Sequence, residues 1–405
     1  MTGEKSEGLV VMAKPVGSRC NMRCRYCYYL GKGRYSAHAK QTVMSADLLE
    51  KLIREAAASS AGPVSFIWHG GEPTLAGIGF YKKVVELEKR LIPKGREVWN
   101  NLQTNGLLLN DEWCRFLKEN RFDVGISIDG SELIHDRNRL TIAGEPTHRR
   151  VLAAIARLRR HGGDPDLLCT VNASSLKDPA GVYRALRDTG CTWIQFIPIV
   201  IRRGDGTLSP LSADPAGYGE FLVSVFDEWV KNDLGKCDVQ LFAETARILA
   251  GGEASLCTMR KTCGRVLIAE EDGAVYSCDH FVDDGHRLGN LRSGKLAGMA
   301  ESEFQKRFGE RKESALTSEC RACPWLRFCG GGCPKDRFGK SAEGEAGQYI
   351  LCEGLKRFFS HAVPVLEQIM KESAAGRSPA EIMREIGTRP FPEPDSLLPS
   401  SPDSV

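Results

Sequence analysis

Short apolar segments alternate with longer amphipathic segments along the first half of the chain. The apolar segments are rich in Val, Ile, Phe and Trp, which favour strands, and the segments between them repeat their apolar residues at helical spacing. Strands are predicted at residues 9–14, 64–68, 98–103, 124–128, 167–171 and 193–197. Helices are predicted at residues 45–59, 79–91, 111–119, 147–161 and 179–189. This alternation implies right-handed βαβ units and a parallel sheet buried on both faces, either doubly wound or curled into a barrel.

Polar side chains and glycines follow three of the predicted strands. The segments are His69-Gly70-Gly71-Glu72-Pro73, Gln103-Thr104-Asn105-Gly106 and Ser127-Ile128-Asp129-Gly130. Each segment by itself is ordinary turn chemistry. Functional residues of parallel α/β folds collect at the carboxyl ends of the strands, so the repetition at three matching ends indicates a site there.

Three cysteines lie in the loop after the first predicted strand. Cys20, Cys24 and Cys27 have CxxxCxxC spacing. Four thiolates would close a zinc or iron-sulfur site, whereas three leave one metal position open to a substrate or cofactor. From local spacing alone, a zinc knuckle completed by His38 is the alternative.

The sequence changes character in its second half. Helical patterns at residues 215–231 and 239–250 precede a boundary near Gly251, and an amphipathic helix is predicted at 354–370. Between them lie eight cysteines, Cys257, Cys263, Cys278, Cys320, Cys323, Cys329, Cys333 and Cys352. Eight ligands make two sets of four, as in a module where metals substitute for a large core. Two structural zinc sites fit these ligands as well as two iron-sulfur clusters do.

Composition limits the class of protein. A chain of 405 residues favours one large barrel with an appendage, or two domains. With a net charge of +3 and 26% charged residues, nothing predicts a nucleic-acid partner. The sequence shows neither a signal peptide nor an apolar run of membrane-spanning length, so we expect a cytoplasmic protein without a membrane partner. In that reducing compartment, fifteen cysteines indicate metal ligands rather than disulfides.

The combination of motifs is similar to one enzyme superfamily. The CxxxCxxC loop, with Tyr26 before its last cysteine, and Gly70-Gly71-Glu72-Pro73 resemble the radical S-adenosylmethionine (SAM) enzymes. The later cysteines resemble the SPASM extension of that superfamily, through Cys263-x9-Gly273-x4-Cys278, Cys320-x2-Cys323-x5-Cys329-x3-Cys333 and Cys352. Within that group the chain resembles the anaerobic sulfatase-maturating enzymes, through the segments 70–77, 102–106, 276–279 and 333–337.

The resemblance implies an α/β fold with defined domains. Residues 1–235 would form a partial (β/α)6 parallel barrel, and residues 236–372 would form the cysteine-rich SPASM domain with two auxiliary iron-sulfur clusters and the C-terminal helix. The tail, residues 373–405, is rich in Pro, Ser, Asp and Glu and is expected to be poorly ordered.

The resemblance also implies SAM and three [4Fe-4S] clusters. Cys20, Cys24 and Cys27 would bind the first cluster, whose fourth iron would be chelated by SAM. The implied SAM contacts are Tyr26, Gly71, Ser127, Arg139 and Val200, with Glu72 shaping the loop that holds the cofactor's amino group. The implied auxiliary ligand sets are Cys257, Cys263, Cys278 and Cys333 for one cluster, and Cys320, Cys323, Cys329 and Cys352 for the other.

The implied reaction oxidises a Cys or Ser within a Cys/Ser-x-Pro/Ala-x-Arg segment of a sulfatase to formylglycine. A 5′-deoxyadenosyl radical would take a hydrogen atom from Cβ, Asp279 would act as base, and the auxiliary clusters would take up an electron. A small donor protein such as flavodoxin or ferredoxin would supply reducing electrons. An unperturbed Asp and a Cys thiol differ by about 4.6 pKa units, or roughly 6 kcal/mol. Either burial raises the pKa of Asp279, or the proton leaves only after the Cβ radical has formed, which is the hypothesis we favour.

Two histidines, four cysteines and the function itself each have a second interpretation. His69 and His280 are candidates for substrate contact, although packing for His69 and loop exposure for His280 are simpler expectations. Cys114, Cys169, Cys191 and Cys237 lie outside the motifs and are expected to be buried small hydrophobic residues. The alternative functions are a SPASM enzyme that cross-links or epimerises a peptide, and a multi-cluster electron carrier. A carrier would have no use for a SAM pocket.

Overall fold

The computed structural model describes residues 9–32, 43–59 and 62–386, so His38, the fourth ligand of the alternative zinc knuckle, lies outside the described residues. The strands are β1 Val10–Ala13, β2 Val64–Trp68, β3 Val98–Thr104, β4 Phe122–Ser127, β5 Asp166–Val171, β6 Trp193–Pro198, β7 Asp238–Val239, β8 Val266–Ala269, β9 Ala274–Tyr276, β10 Arg287–Asn290, β11 Gly339–Lys340 and β12 Ala346–Gln348. The helices are α1 Ala46–Ala58, α2 Ile78–Leu91, α3 Asp111–Glu119, α4 Glu132–Asn138, α5 His148–Arg160, α6 Pro179–Arg187, α7 Pro215–Asn232, α8 Gln240–Leu249, α9 Leu296–Ala300, α10 Glu303–Ser314, α11 Ser318–Ala322, α12 Leu326–Cys329, α13 Cys352–Ala374 and α14 Pro379–Ile386. The six predicted strands and the helices between them are confirmed.

The chain forms two compact units. The first contains the described residues of 1–128, 135–166 and 264–309, and the second contains those of 129–134, 167–263 and 310–405. In the first unit β8, β1, β2, β3 and β4 are neighbours in a parallel arrangement, and β9 and β10 extend it in antiparallel fashion. The predicted domain boundaries at residues 235 and 372 remain predictions.

Local sequence explains the elements of the first unit. The Ser45 hydroxyl accepts a hydrogen bond from the Leu48 amide and so caps α1, which buries Leu48, Leu49 and Leu52 on one face. In strand β2 every second side chain is buried, namely Val64, Phe66 and Trp68. Each element therefore contributes one apolar face to the core.

Strand β8 was not predicted and changes how the site is built. It pairs with β1 from Val10 with Val266 to Ala13 with Ala269, and the Lys14 amide donates to the Ala269 carbonyl oxygen at 2.8 Å. This parallel pairing joins segments far apart in sequence, which local patterns cannot reveal. As a result, the segment after β8 lies beside the carboxyl end of β1.

In the second unit β5, β6 and β7 are parallel neighbours. Helix α13 packs on α7 and α8 through aromatic rings, with Phe358 stacked on Phe242 at 5.4 Å and edge-on to Phe226 at 6.0 Å. The backbones of α7 and α13 also approach each other closely, because a Cβ on Gly219 would lie 2.8 Å from the Gly354 Cα. These contacts hold the C-terminal helix against the unit's core.

The expectation of a poorly ordered tail is wrong for its first part. Helix α14 occupies Pro379–Ile386 and buries Ile382 and Ile386, four residues apart on one face. Its start is a capping box, because the Ser378 amide donates to the Glu381 carboxylate and the Glu381 amide to the Ser378 hydroxyl. Residues 387–405 lie outside the described part of the chain.

A buried polar chain connects β2, β3 and α2. Trp68 Nε1 donates to Asn100 Oδ1 at 2.7 Å, and Asn100 Nδ2 donates to both carboxylate oxygens of Glu88 at 3.0 and 3.1 Å. Burial raises the pKa of Glu88 from 4.5 to about 7. A carboxylate whose folded-state pKa is raised gives up stability as the pH rises from its unfolded to its folded pKa.

We therefore expect Glu88→Gln to flatten the pH dependence of stability. The wild type should lose about 2 kcal/mol more than the variant between pH 5 and pH 8, since one pKa unit corresponds to about 1.4 kcal/mol. Urea unfolding at the two pH values measures this difference. Glu86→Gln is the control, because exposed Glu86 has a lowered pKa and titrates below this window. Parallel wild-type and Glu88→Gln curves would contradict the assignment.

None of the helices in the described ranges is long and apolar enough to cross a membrane.

Candidate active site

The cysteine loop follows β1 and is held by its own backbone. The Met22 amide donates to Cys20 Sγ at 3.3 Å, and the Cys27 amide donates to the Cys24 carbonyl oxygen at 3.1 Å. Burial raises the pKa of Cys20 to about 12, and Glu72, Cys24 and Cys27 add to the shift. Burial thus disfavours the Cys20 thiolate, and a bound cation would favour it.

The glycines after β2 allow the backbone to approach the cysteine loop closely. The Gly71 amide donates to the Gly17 carbonyl oxygen at 2.8 Å, and the Glu72 amide donates to the Arg19 carbonyl oxygen at 2.9 Å. A Cβ on Gly71 would overlap the Arg19 carbonyl group. Gly70 has φ of 127°, which favours glycine. The segment is therefore a docking surface for the cysteine loop and more than a turn.

Glu72 connects the ends of β2 and β3. It is 0% exposed and accepts hydrogen bonds from the Thr74 amide at 3.0 Å, the Thr104 hydroxyl at 2.7 Å and the Asn105 amide at 2.7 Å. Burial raises the pKa of Glu72, and these hydrogen bonds oppose the shift. The Asn105 side chain continues to Asn21 Oδ1 at 2.7 Å. One buried carboxylate thus fixes three strand-end loops.

Glu72→Ala should destabilise the protein by at least about 3 kcal/mol, because it leaves several buried donors without an acceptor. Glu72→Gln keeps one acceptor oxygen and should lose less. Urea unfolding of the apoprotein measures both effects. Glu112→Ala removes a carboxylate that is 55% exposed and should change little. Equal stabilities of Glu72→Ala and Glu112→Ala would show that the loops do not depend on Glu72.

The implied SAM contacts occupy several places. In the first unit, Arg139 lies 5.6 Å from the Tyr26 ring centroid, and both residues are buried. The Ser127 hydroxyl, at the end of β4, accepts a hydrogen bond from Gln103 Nε2 at 3.1 Å. Val200 lies in the second unit, after β6, and is buried.

The Cys20–Cys27 loop is also paired with the segment that carries Arg139. The Arg23 amide donates to the Leu140 carbonyl oxygen at 2.8 Å, and the Arg25 amide donates to the Asn138 carbonyl oxygen at 3.0 Å. Tyr26 and Arg139 are thereby placed on adjacent backbone segments.

Asp279 lies at the start of a short 3-10 helix, Asp279–Phe281, in the segment that follows β9. Its Oδ1 pairs with Lys14 Nζ, and its Oδ2 accepts a hydrogen bond from the Tyr28 hydroxyl. Lys14 is 0% exposed at the end of β1, whereas the Asp279 side chain is 14% exposed. Both carboxylate oxygens are held, and one edge of the group still reaches solvent.

Lys14 is the centre of a polar cluster that the sequence did not reveal. Its Nζ lies 3.3 Å from His69 Nδ1 and 4.2 Å from the Tyr29 ring centroid, and the Tyr29 hydroxyl donates to Glu270. The Gly70 amide also donates to His69 Nδ1 at 2.7 Å, which leaves the proton of a neutral ring on Nε2. The available signal was a lysine at the end of a buried apolar strand, where charge is rare.

Electrostatics in this cluster follow from burial and from Lys14. Burial alone would raise the pKa of Asp279, but the Lys14 ammonium group, with His69 and His280, holds it below its usual range. Burial lowers the pKa of His69 to about 3, and Lys14 adds to that shift. Burial raises the pKa of Glu270 to about 8. Asp279 is thus a charged carboxylate, and His69 is a neutral ring bonded to Lys14. His280 packs against Tyr28 at 5.0 Å between ring centroids.

One set of later cysteines surrounds a cavity in the second unit. The cavity is lined by Cys320, Cys323, Cys329 and Cys352. Gln348 lies among them, with Nε2 donating to Cys352 Sγ at 3.1 Å. Within the described residues, no group of three or more His, Cys, Asp or Glu side chains could hold a single metal ion. Four thiols that line one cavity match in number the ligands of a [4Fe-4S] cluster.

The other set is divided between the two units. Cys257, Cys263 and Cys333 belong to the second unit, and Cys278 belongs to the first. Burial raises the pKa of Cys263, with Cys257 adding to the shift, and burial raises the pKa of Cys333 to about 12. The four cysteines outside the motifs are buried, as predicted, at Cys114, Cys169, Cys191 and Cys237.

Comparison with known proteins supplies the family. Residues 15–178 match the radical SAM superfamily, and residues 237–324 match the SPASM iron-sulfur cluster-binding domain. The chain is 41% identical to a serine-type anaerobic sulfatase-maturating enzyme of Bacteroides thetaiotaomicron, over 93% of this chain and 95% of the relative. It is 32% identical to a cysteine-type enzyme of Clostridium perfringens, over 88% of this chain and 97% of the relative.

A solved structure shows the same architecture. Native anSMEcpe with bound AdoMet and Cp18Cys peptide superimposes with a TM-score of 0.82 at 31% identity, over 90% of this chain and 99% of that one. The predicted α/β fold, a parallel partial barrel followed by a SPASM domain and a C-terminal helix, is confirmed. Together these comparisons show that the chain belongs to the anaerobic sulfatase-maturating enzymes, a family of radical SAM enzymes with a SPASM domain.

Proposed function

We propose that Asp279 is the base in the reaction of this enzyme, the conversion of a sulfatase Ser or Cys side chain to formylglycine. The observation that supports this role is the placement of its carboxylate. Lys14 holds Oδ1 and Tyr28 holds Oδ2, so the group is ionised and oriented before a substrate arrives. A fixed carboxylate with remaining lone pairs and a partly exposed edge can accept a proton from a hydroxyl or thiol.

The residues of the chain fit SAM and iron-sulfur clusters. Cys20, Cys24 and Cys27 would hold the first cluster, because they lie in one loop and three thiols leave a position for SAM. The cavity thiols and the divided set would hold two auxiliary clusters, which makes three in all. When bound, these groups supply the radical that takes a hydrogen atom from Cβ and an acceptor for the remaining electron.

The protein's own residues then handle the proton and the substrate's position. The oxidation removes a hydrogen atom, a proton and an electron from the side chain, which turns Ser directly into the aldehyde and Cys into a thioaldehyde that water hydrolyses with release of hydrogen sulfide. Asp279 takes the proton from Oγ or Sγ, and Lys14 stabilises the carboxylate in the orientation that receives it. His69 Nδ1 lies 3.3 Å from Lys14 Nζ and can accept a hydrogen bond from the ammonium group. Tyr26, Gly71, Ser127, Arg139 and Val200 remain our candidates for SAM contact, with Glu72 fixing the loop.

The test is anaerobic incubation of the reconstituted enzyme with reductant, SAM and two peptides that differ only in Ser or Cys at the target position. We expect an aldehyde in at least one product, seen by mass spectrometry as loss of two hydrogens from Ser or as conversion of Cys. A peptide with Ala at the target is the control. SAM cleavage with neither Ser nor Cys changed would instead favour the peptide cross-linking or epimerising alternative.

The reaction also needs an electron donor and a compartment in which the cysteines stay reduced. We propose a flavodoxin or ferredoxin as donor and the cytoplasm as the site of reaction. All fifteen cysteines lie in the described ranges, and none of them forms a disulfide there. Purified flavodoxin or ferredoxin replacing the chemical reductant in the peptide assay would test the donor, and failure of both proteins would overturn this choice.

A further inference from the structure

Three consecutive glycines join two cysteines of the SPASM domain. Gly330, Gly331 and Gly332 have φ angles of 53°, 73° and 68°, all in the left-handed region. The turn begins at Cys329 and ends at Cys333, which belong to different proposed ligand sets. Only glycine adopts this conformation repeatedly without strain. One short turn therefore carries a ligand of each auxiliary cluster.

The Arg337 guanidinium group is bonded to this turn. Its Nε donates to the Gly331 carbonyl oxygen at 2.8 Å, and its Nη2 donates to those of Gly330 at 3.2 Å and Gly332 at 3.5 Å. Its Nη1 donates to the Lys312 carbonyl oxygen at 2.5 Å. A planar fork with several N–H donors can satisfy carbonyl groups in different directions at once. A single side chain thus fixes the shape of the glycine turn.

A second cation is buried next to these contacts. Lys312 is 0% exposed, and its Nζ donates to the carbonyl oxygens of Cys257 at 2.8 Å and Thr258 at 2.9 Å, and to that of Arg260. Carbonyl groups satisfy the ammonium hydrogens but leave its charge uncompensated, and a buried uncompensated charge is costly. Thiolates and a cluster of net negative charge would provide that compensation.

Cys329 and Cys333, one thiol of each ligand set, flank the glycine turn that Arg337 contacts. Burial lowers the pKa of Arg337, and four cysteines oppose the shift, Cys320 and Cys329 from the cavity set and Cys263 and Cys333 from the divided set. Arginine stays protonated in proteins. A permanent positive charge is therefore present beside both sets.

We propose that Arg337 is a positioning residue for both auxiliary clusters, one that holds the glycine turn between Cys329 and Cys333 and whose charge raises the reduction potential of both. The inference rests on the ligand sets given under the proposed function. Net charge and hydrogen bonding around a cluster set its potential, and a nearby cation favours the more negative, reduced state. A raised potential suits clusters that accept an electron from the substrate.

The test uses the full chain with Cys20, Cys24 and Cys27 replaced by Ala, so that only the auxiliary clusters remain after reconstitution. Arg337→Gln removes the charge, and Arg337→Lys keeps it while losing the fork. Iron per chain is measured first, and potentials are measured by redox titration followed by electron paramagnetic resonance. Arg247→Gln is the matched control, because that side chain is 58% exposed.

We expect Arg337→Gln to lower the ratio of reduced to oxidised cluster about tenfold at a fixed potential, which corresponds to about 59 mV for one electron. Arg337→Lys and Arg247→Gln should keep the parent's ratio. An unshifted ratio in Arg337→Gln with full iron, or equal shifts in the Gln and Lys variants, would overturn the proposal. If Arg337→Gln loses iron, retention by Arg337→Lys supports the role of the charge, and equal loss in both variants supports the role of the fork in holding the turn. A parent chain that binds no iron would overturn the ligand sets themselves.

Discussion

Replacing Asp279 by Asn should reduce peptide oxidation by about 10²–10⁴-fold, the usual contribution of a general base. Asn has nearly the same shape and can still accept a hydrogen bond from Tyr28, but it cannot take a proton. SAM cleavage should continue, because Asp279 takes no part in forming the radical. The measurement is the ratio of aldehyde formed to 5′-deoxyadenosine released, with a Ser and a Cys peptide.

Asp283→Asn is the matched control for this prediction. It changes a nearby carboxylate whose described contact is to His286 Nδ1 at 2.7 Å, outside the Lys14 cluster. Wild-type oxidation is expected in this variant. Because Asp279→Asn leaves buried Lys14 without its counter-charge, iron content and thermal stability must be measured alongside activity. Unchanged aldehyde formation in Asp279→Asn would remove Asp279 from the mechanism.

Lys14→Met should lower both the amount of aldehyde formed per 5′-deoxyadenosine released and the free energy of unfolding. Met preserves the length of the side chain but removes the charge that pairs with Asp279. Breaking a buried ion pair from one side costs about 3–5 kcal/mol, since the remaining charge stays without compensation. Loss of carboxylate orientation should lower peptide oxidation about 10²-fold, a typical effect of a misplaced catalytic group. Urea unfolding and the ratio of aldehyde to 5′-deoxyadenosine measure the two effects.

A double variant separates the effect of Lys14 on the position of the Asp279 carboxylate from its effect on the stability of the protein. Lys14→Met with Asp279→Asn removes both charges, so it should recover much of the stability that Lys14→Met loses, while peptide oxidation stays as low as in Asp279→Asn. Lys82→Met breaks an exposed pair with Glu112 and should cost at most about 1 kcal/mol with wild-type activity. If Lys14→Met oxidised peptide at the wild-type rate despite lower stability, Lys14 would be a structural residue only.

Local sequence was sufficient for the strands and helices of the parallel sheet. The alternation of Val64, Phe66 and Trp68 and the Ser45 cap are properties of short segments, and such segments keep their preference when they fold. The sequence also indicated the metal ligands, because three cysteines with CxxxCxxC spacing can bind a metal centre wherever the loop lies in the fold. Helix α14 was missed although Ser378 and Glu381 form a capping box, since the surrounding Pro and Ser residues dominated the prediction.

Contacts between distant segments were beyond the reach of sequence patterns. Asp279 was a candidate only through family resemblance, and its partner Lys14 is 265 positions away in the chain. The two meet because β8 pairs with β1, an arrangement set by packing of the whole sheet. For Gly71 the sequence indicated ordinary turn chemistry, whereas in the structure the Arg19 backbone packs against it.

The cysteine loop shows both sides of this division. Sequence alone determined that three thiols occupy one loop and leave a metal position open, because ligand number and spacing are local properties. Tertiary structure decided what surrounds that loop. These groups are buried Lys14, the Asp279 carboxylate that Lys14 holds, and the Glu72 carboxylate, which connects three strand-end loops. The physical reason is that burial and charge pairing depend on neighbours brought together by folding, and one segment's sequence does not specify them.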